Sequence, residues 1–240
     1  MQLAIVLAGI GLYEAARLAL SPDWPLALAN AHRVAGWERH LDLAWEEPLQ
    51  RGLLSAPGLV LALNAFYLGA HFLVTGGFFV WLYRRSRPAF RRFRDGFLLA
   101  TAVALLVAWR FPTAPPRVSD LGLVDTLRRF SGIEIGSPVS HGLTDPAAAM
   151  PSLHAGWAFG VGLGLALYAR RPVVRALAPL YPLAVVVTTV ATGNHFLLDA
   201  LAGIAVVALG LGLAPLAGGD RVVGWRLRRG VEQPGSSPGS

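Results

Sequence analysis

Six apolar runs, at about 3–20, 57–83, 96–109, 155–169, 173–192 and 196–216, constrain this chain more than any other feature. A helix needs roughly 20 apolar residues to cross a bilayer core. Six such runs, the third and fourth of them short, leave little of a 240-residue chain for a water-soluble core. The composition agrees: 54% of residues are hydrophobic and 15% charged, with a mean hydropathy of +0.51, too apolar for an ordinary soluble domain. The expected fold class is an all-α membrane protein, a six-transmembrane-helix bundle. It is read as one domain over 1–229, with its active core at about 96–216 and a disordered tail at 230–240.

Net charge is +7, and all 21 basic residues are arginine. A high isoelectric point raises the question of nucleic acid, which the placement of the charge answers. Thirteen arginines follow the even-numbered runs: Arg84 to Arg94, Arg170 to Arg175, and Arg221 to Arg229. The opposite side carries the other 8 arginines with 11 of the 14 acids, so the two faces stand near +10 and −3. Arginine-rich loops stay in the cytoplasm. Both termini are therefore expected inside, in a plasma (inner) membrane, and no nucleic-acid partner is expected.

Cysteine is absent, which removes disulfides and thiolate metal sites. The N-terminus shows neither a positive n-region nor a small-x-small cleavage site, so the first run is read as a retained span. Residues 22–54 form a first outer segment, in which Val34, Trp37, Leu41 and Trp45 recur at helical spacing within 31–50. That pattern suits a helix lying on the membrane surface, with Arg33, Glu38 and Arg39 able to reach the outer end of the bundle. The second outer segment, 110–150, is the longest non-hydrophobic stretch and is rich in Pro, Gly and Asp. In membrane proteins such loops carry function where they meet helix ends.

Three clusters fall on this outer side. Arg110 and Arg117 stand seven apart at the end of the third run, with Pro112, Pro115 and Pro116 stiffening the chain between them. Pro151, Ser152, Leu153 and His154 precede the fourth run. Proline suits a first helical turn, and the free N–H groups of a helix start attract an anion. Gly193, Asn194, His195 and Asp199 open the sixth run. If the helix begins at Gly193–Asn194, His195 and Asp199 lie one turn apart on one face. A carboxylate on one ring nitrogen makes the other a better nucleophile, and an acid inside a membrane is costly unless paired and useful.

This ordered set resembles the type 2 phosphatidic acid phosphatase (PAP2) superfamily. The resemblance implies a metal-independent, cofactor-free enzyme. His195 would attack phosphorus to give a phosphohistidine, Asp199 would orient it, and His154 would protonate the leaving oxygen. Arg110, Arg117, Ser152 and Asn194 would form the phosphate-binding set, with both helix starts aimed at the anion. Two departures stand out: Arg110 replaces the usual lysine, and Thr188 and Thr189 stand where Ser-Arg is usual before the histidine. The variant pattern from Pro112 to Arg117, Met150 to His154 and Gly193 to His195 looks like the branch that includes inositol phosphorylceramide synthases. Hydrolysis of a lipid or polyprenyl phosphate or diphosphate at the extracytoplasmic face is therefore favoured, with phosphotransfer to an alcohol acceptor as the alternative. A noncatalytic lipid carrier is the rival from another class. It has no use for the nucleophilic pair.

In the second run Asn64, Tyr67, His71 and Thr75 share one helical face. A polar stripe in lipid must face the bundle interior, where bonding neighbouring helices is favoured over lining the substrate because the topology places His71 far below the site. No carboxylate-rich outer cluster is expected, and hence no obligatory Mg²⁺.

Overall fold

The structure is a computed structural model that describes Gly11, residues 23–133 and residues 147–217. The expected first span apart from Gly11, part of the second outer segment and the 230–240 tail lie outside the described residues. Among the described residues the chain is helical, with one isolated bridge between Thr113 and Ala148.

The outer segment forms two helices where one was expected. Helix α1 (Trp24–His40) starts on Asp23, whose side chain accepts the Leu26 N–H at 3.0 Å. Helix α2 (Glu46–Leu54) follows a break at Asp42, whose φ of 56° ends the first helix. Of the apolar stripe only Val34 is on the buried face: Trp37, Leu41 and Trp45 are exposed, while Ala27, Ala31 and Glu38 are buried with Val34. Small alanines let α1 lie close against Ala114, Ala147 and Phe196.

The second run is broken. Helix α3 (Pro57–Ala65) passes through a π-helical turn (Phe66–Ala70) into α4 (His71–Arg85), and the two halves are bent by 45°. Asn64 makes the helix-bridging bonds expected of the stripe, donating to the Thr126 carbonyl and to Ser131 Oγ at 2.9 Å each. The extra residue of a π turn rotates everything after it, and this redirects Tyr67 and His71.

Helix α5 (Arg87–Arg110) contains the third run. Helix α6 (Thr126–Ser131) is capped by Asp125 and stops at Gly132, φ 64°. Helix α7 (Leu153–Tyr168) holds the fourth run, α8 (Pro172–Leu177) and α9 (Leu180–Ala191) the fifth, and α10 (Leu197–Ala217) the sixth. By length and composition two helical segments among the described residues can cross a membrane, 172–191 and 197–214, or three if the bent α3–α4 pair is one span. Helix α7 is apolar but only 16 residues long.

Phe78, Phe93, Phe97, Val161, Val207 and Leu211 pack α4, α5, α7 and α10 into one core. Lipid supplies no hydrophobic drive between such helices, so close packing through small residues must hold them. Helices α7 and α10 cross where Gly156 and Gly203 meet. A Cβ on Gly156 would lie 2.5 Å from the Gly203 carbonyl oxygen.

Candidate active site

The proline-rich segment after α5 is pinned from both sides. Asn30 of α1 donates to the Pro112 carbonyl at 2.8 Å, and the Ala114 N–H donates to the Ala27 carbonyl at 3.1 Å. The Thr113 N–H donates to the Ala147 carbonyl and the Ala149 N–H to the Thr113 carbonyl, at 2.6 and 2.9 Å. The segment carrying Met150 to His154 is thereby laid beside the one carrying Arg117. Ser152 is the N-cap of α7, its Oγ accepting the Ala155 N–H at 3.4 Å. Its own N–H donates to the Asp199 carbonyl at 2.8 Å, which joins the starts of α7 and α10.

His154 and His195 come together, with ring centroids 5.8 Å apart. His195 is not on the helix. Gly193 (φ 71°) turns the chain, the Thr189 carbonyl accepts the N–H groups of Asn194 and His195, and α10 begins only at Leu197. The ring of His195 is anchored at Nδ1, 2.9 Å from the Ala149 carbonyl oxygen and 3.5 Å from Asp199 Oδ2. A carbonyl only accepts, so Nδ1 carries the proton and Nε2 keeps the lone pair. The Ala149 carbonyl thus joins Asp199, of which alone this role was expected, in holding the tautomer. Asp199 also accepts the Phe196 N–H at 2.9 Å.

Arg117 is buried and tied to the histidine segment. Its N–H bonds the Gly193 carbonyl at 3.0 Å, Nε donates to Asn194 Oδ1 at 3.0 Å, and Nη1 pairs with Asp125 at 2.8 Å. Asn194 also donates to Thr192 Oγ1 at 2.7 Å. Its side chain therefore positions Arg117, where phosphate contact had been expected. Arg110 is exposed at the end of α5, its guanidinium carbon 5.7 Å from the Trp109 ring centroid. It is not drawn into the cluster around the histidines.

His71 is not far below the site. Its ring lies 4.8 Å from that of His154, and Tyr67 stacks on His154 at 4.5 Å. His71 Nδ1 also meets the Tyr181 hydroxyl at 3.2 Å. His71 Nε2 and Trp157 Nε1 are buried with no partner among the described residues.

A carboxylate cluster does form beside the histidine segment, against expectation. Glu46 accepts the Leu197 N–H at 2.9 Å and Glu38 the Leu198 N–H at 2.7 Å, beside Asp199 on Phe196. Three successive N–H groups at the start of α10 are thus capped by carboxylates, so this helix start is closed to phosphate and that of α7 remains. Among the described residues no set of acids and histidines is placed to hold a metal ion.

The sequence pattern of the PAP2 superfamily matches residues 32–213. The chain belongs to the PAP2 superfamily. No curated protein and no solved structure matches it. As a PAP2 protein it is a membrane protein of the phosphatase and phosphotransferase type. The match begins at residue 32 and so takes in the two outer glutamates as well as the three motifs.

Burial, with Glu46 and Asp199 close by, pushes Glu38 up to about 8, and burial raises Glu46 as well. A carboxyl raised in the folded state favours folding while it holds its proton, and that stability is lost as pH rises from the unfolded value through the folded one. The thermal midpoint of this PAP2 protein is expected to fall between about pH 5 and pH 8. Glu38→Gln should flatten that slope in a thermal scan across pH, whereas an unchanged slope would contradict the assignment.

Proposed function

We propose that this protein is a six-span lipid phosphatase that hydrolyses a lipid or polyprenyl phosphate or diphosphate at the extracytoplasmic face of the membrane. The observation that carries the reading is the anchoring of His195: with Nδ1 on the Ala149 carbonyl, Nε2 presents a lone pair beside His154. Nε2 attacks the terminal phosphorus, its bond to the leaving oxygen breaks, the lipid oxygen in a monophosphate or the bridging oxygen in a diphosphate, and protonated His154 gives its proton to that oxygen. His154 then takes a proton from water, whose oxygen attacks the phosphohistidine and releases inorganic phosphate and neutral His195. No step requires a metal ion.

Arg117 and the N–H groups at the start of α7 are the groups that meet the phosphate charge, with Arg110 as an outer contact for incoming substrate. The arginine asymmetry supports an outward-facing site with cytoplasmic termini. Transfer to an alcohol shares the first half-reaction and differs only in the second nucleophile. A single donor labelled in its phosphate, incubated in detergent with and without lipid alcohols, separates the two. Free phosphate is expected to equal donor loss at every acceptor concentration. Stoichiometric new ester with little free phosphate would replace the phosphatase reading by a transferase.

A further inference from the structure

A second site lies at the other end of the bundle. Between α4, α7 and α8 a groove of about 630 Å³ opens toward the arginine-rich side, a size typical of ligand pockets, about 300–1,000 Å³. Val74, Phe78, Val161 and Leu165 form apolar walls, and Arg84, Arg85, Arg170 and Arg171 close one end. Its walls on α7 begin at Val161, roughly 10 Å from His154 along the helix axis at 1.5 Å per residue, and its arginine end lies farther along. None of its lining residues belongs to the histidine site, and nothing below rests on the proposed reaction.

Arginines on a cytoplasmic face are ordinary in a membrane protein. Here they coincide with a gap in the helix packing. A side chain added at Gly77, on the groove wall, would meet nothing within 4 Å. The charge is also unbalanced. Residues 84–95 and 161–179 hold nine arginines and one carboxylate, Asp95, which pairs with Arg94, and among the described residues none of the four groove arginines has a carboxylate partner. Arg85 is oriented by its Nε bond to the Tyr168 carbonyl at 3.1 Å. An apolar slot in the bilayer ending in several guanidinium forks fits a molecule with an acyl chain and a phosphate-bearing headgroup.

We propose that this groove binds an anionic phospholipid of the cytoplasmic leaflet. One acyl chain lies against α4 and α7, and the headgroup phosphate rests on Arg84, Arg85, Arg170 and Arg171. The test uses the purified full-length protein in detergent, with bound lipid counted by native mass spectrometry during titration. The probes are phosphatidylglycerol, phosphatidylcholine of the same chains, and inorganic phosphate as competitor. Phosphatidylglycerol is expected to bind at least tenfold more tightly than phosphatidylcholine, without displacement by inorganic phosphate. The combined variant R84Q/R170Q/R171Q should abolish the preference, and the charge-matched R87Q/R91Q/R175Q should keep it. Gly77→Leu, which fills the groove and leaves every arginine and the histidine site in place, should weaken phosphatidylglycerol at least tenfold. If the triple-arginine variant does not fold, Gly77→Leu and the two lipids in the unaltered protein decide. Equal binding of the two lipids, displacement by inorganic phosphate, equal loss in the charge-matched variant, or full binding by Gly77→Leu would each overturn the proposal.

Discussion

His195→Ala is expected to abolish turnover on every substrate, together with any covalent phosphoenzyme, while His154→Ala keeps measurable activity on an aryl phosphate. The difference follows from what each ring contributes. Without Nε2 of His195 no bond to phosphorus forms, and the quality of the leaving group is irrelevant. Without His154 the attack still occurs, but an alkoxide must leave unprotonated, a loss of about 10²–10⁴-fold for a general acid. A phenolate with a low pKa needs less help, so the deficit shrinks on activated substrates. Rapid quench with a phosphate-labelled donor reads both: no labelled protein in His195→Ala, and labelled protein that forms on the aryl ester in His154→Ala. Thermal midpoints near that of the parent protein would show that lost activity is not lost folding. Ordinary turnover by His195→Ala would remove it as the nucleophile and with it the phosphatase mechanism.

The meeting of Arg117, His154, His195 and Asp199 was legible because each lies at or beyond one end of an apolar run, and a bundle of such runs gathers its ends. What was not legible depends on local breaks in regular geometry. Helical periodicity places His71 on a straight helix deep in the membrane; the π turn at Phe66–Ala70 and the 45° bend bring it to 4.8 Å from His154 instead. The four-residue spacing of His195 and Asp199 suits a helix, but Gly193 turns the chain and delays α10 to Leu197, which brings the Ala149 carbonyl to Nδ1 beside Asp199. Glu38 and Glu46 cap N–H groups some 150–160 residues away in sequence. They sit on outer helices whose amphipathic pattern fits membrane surface equally well, so periodicity could not single them out. The six-span count rests on hydropathy, and the first of those runs lies outside the described residues. Asn194 and Arg110 were grouped by motif alone; side-chain geometry gives one a positioning role beside Arg117 and leaves the other at the surface.

Gly203→Ala is expected to damage both stability and catalysis, although Gly203 touches no reacting group. The Cβ it introduces would lie 1.9 Å from the Ser152 carbonyl oxygen and 2.7 Å from its carbon. Neither atom belongs to a flexible side chain. The Ser152 carbonyl accepts the Gly156 N–H at 3.1 Å in the first turn of α7, and the Ser152 N–H is bonded to the Asp199 carbonyl at 2.8 Å. Relief therefore requires the start of α7 to move away from α10, which carries His154 away from Asp199 and the His195 segment. Overpacking of this kind costs about 1–3 kcal/mol, and more when backbone must shift. A displacement of about 1 Å between reacting groups lowers a rate on the order of 10²-fold. The expected result is a reduced thermal midpoint with kcat down by about that factor, and with Glu38, Arg117 and both histidines chemically intact. Gly212→Ala on the same helix is the control, since its Cβ meets nothing within 4 Å. That variant should match the parent in kcat and melt at the same temperature or slightly higher, because alanine favours a helix interior by about 1 kcal/mol over glycine. Parent-like kcat and melting for Gly203→Ala would mean that the α7–α10 crossing does not set the distance between the two halves of the site.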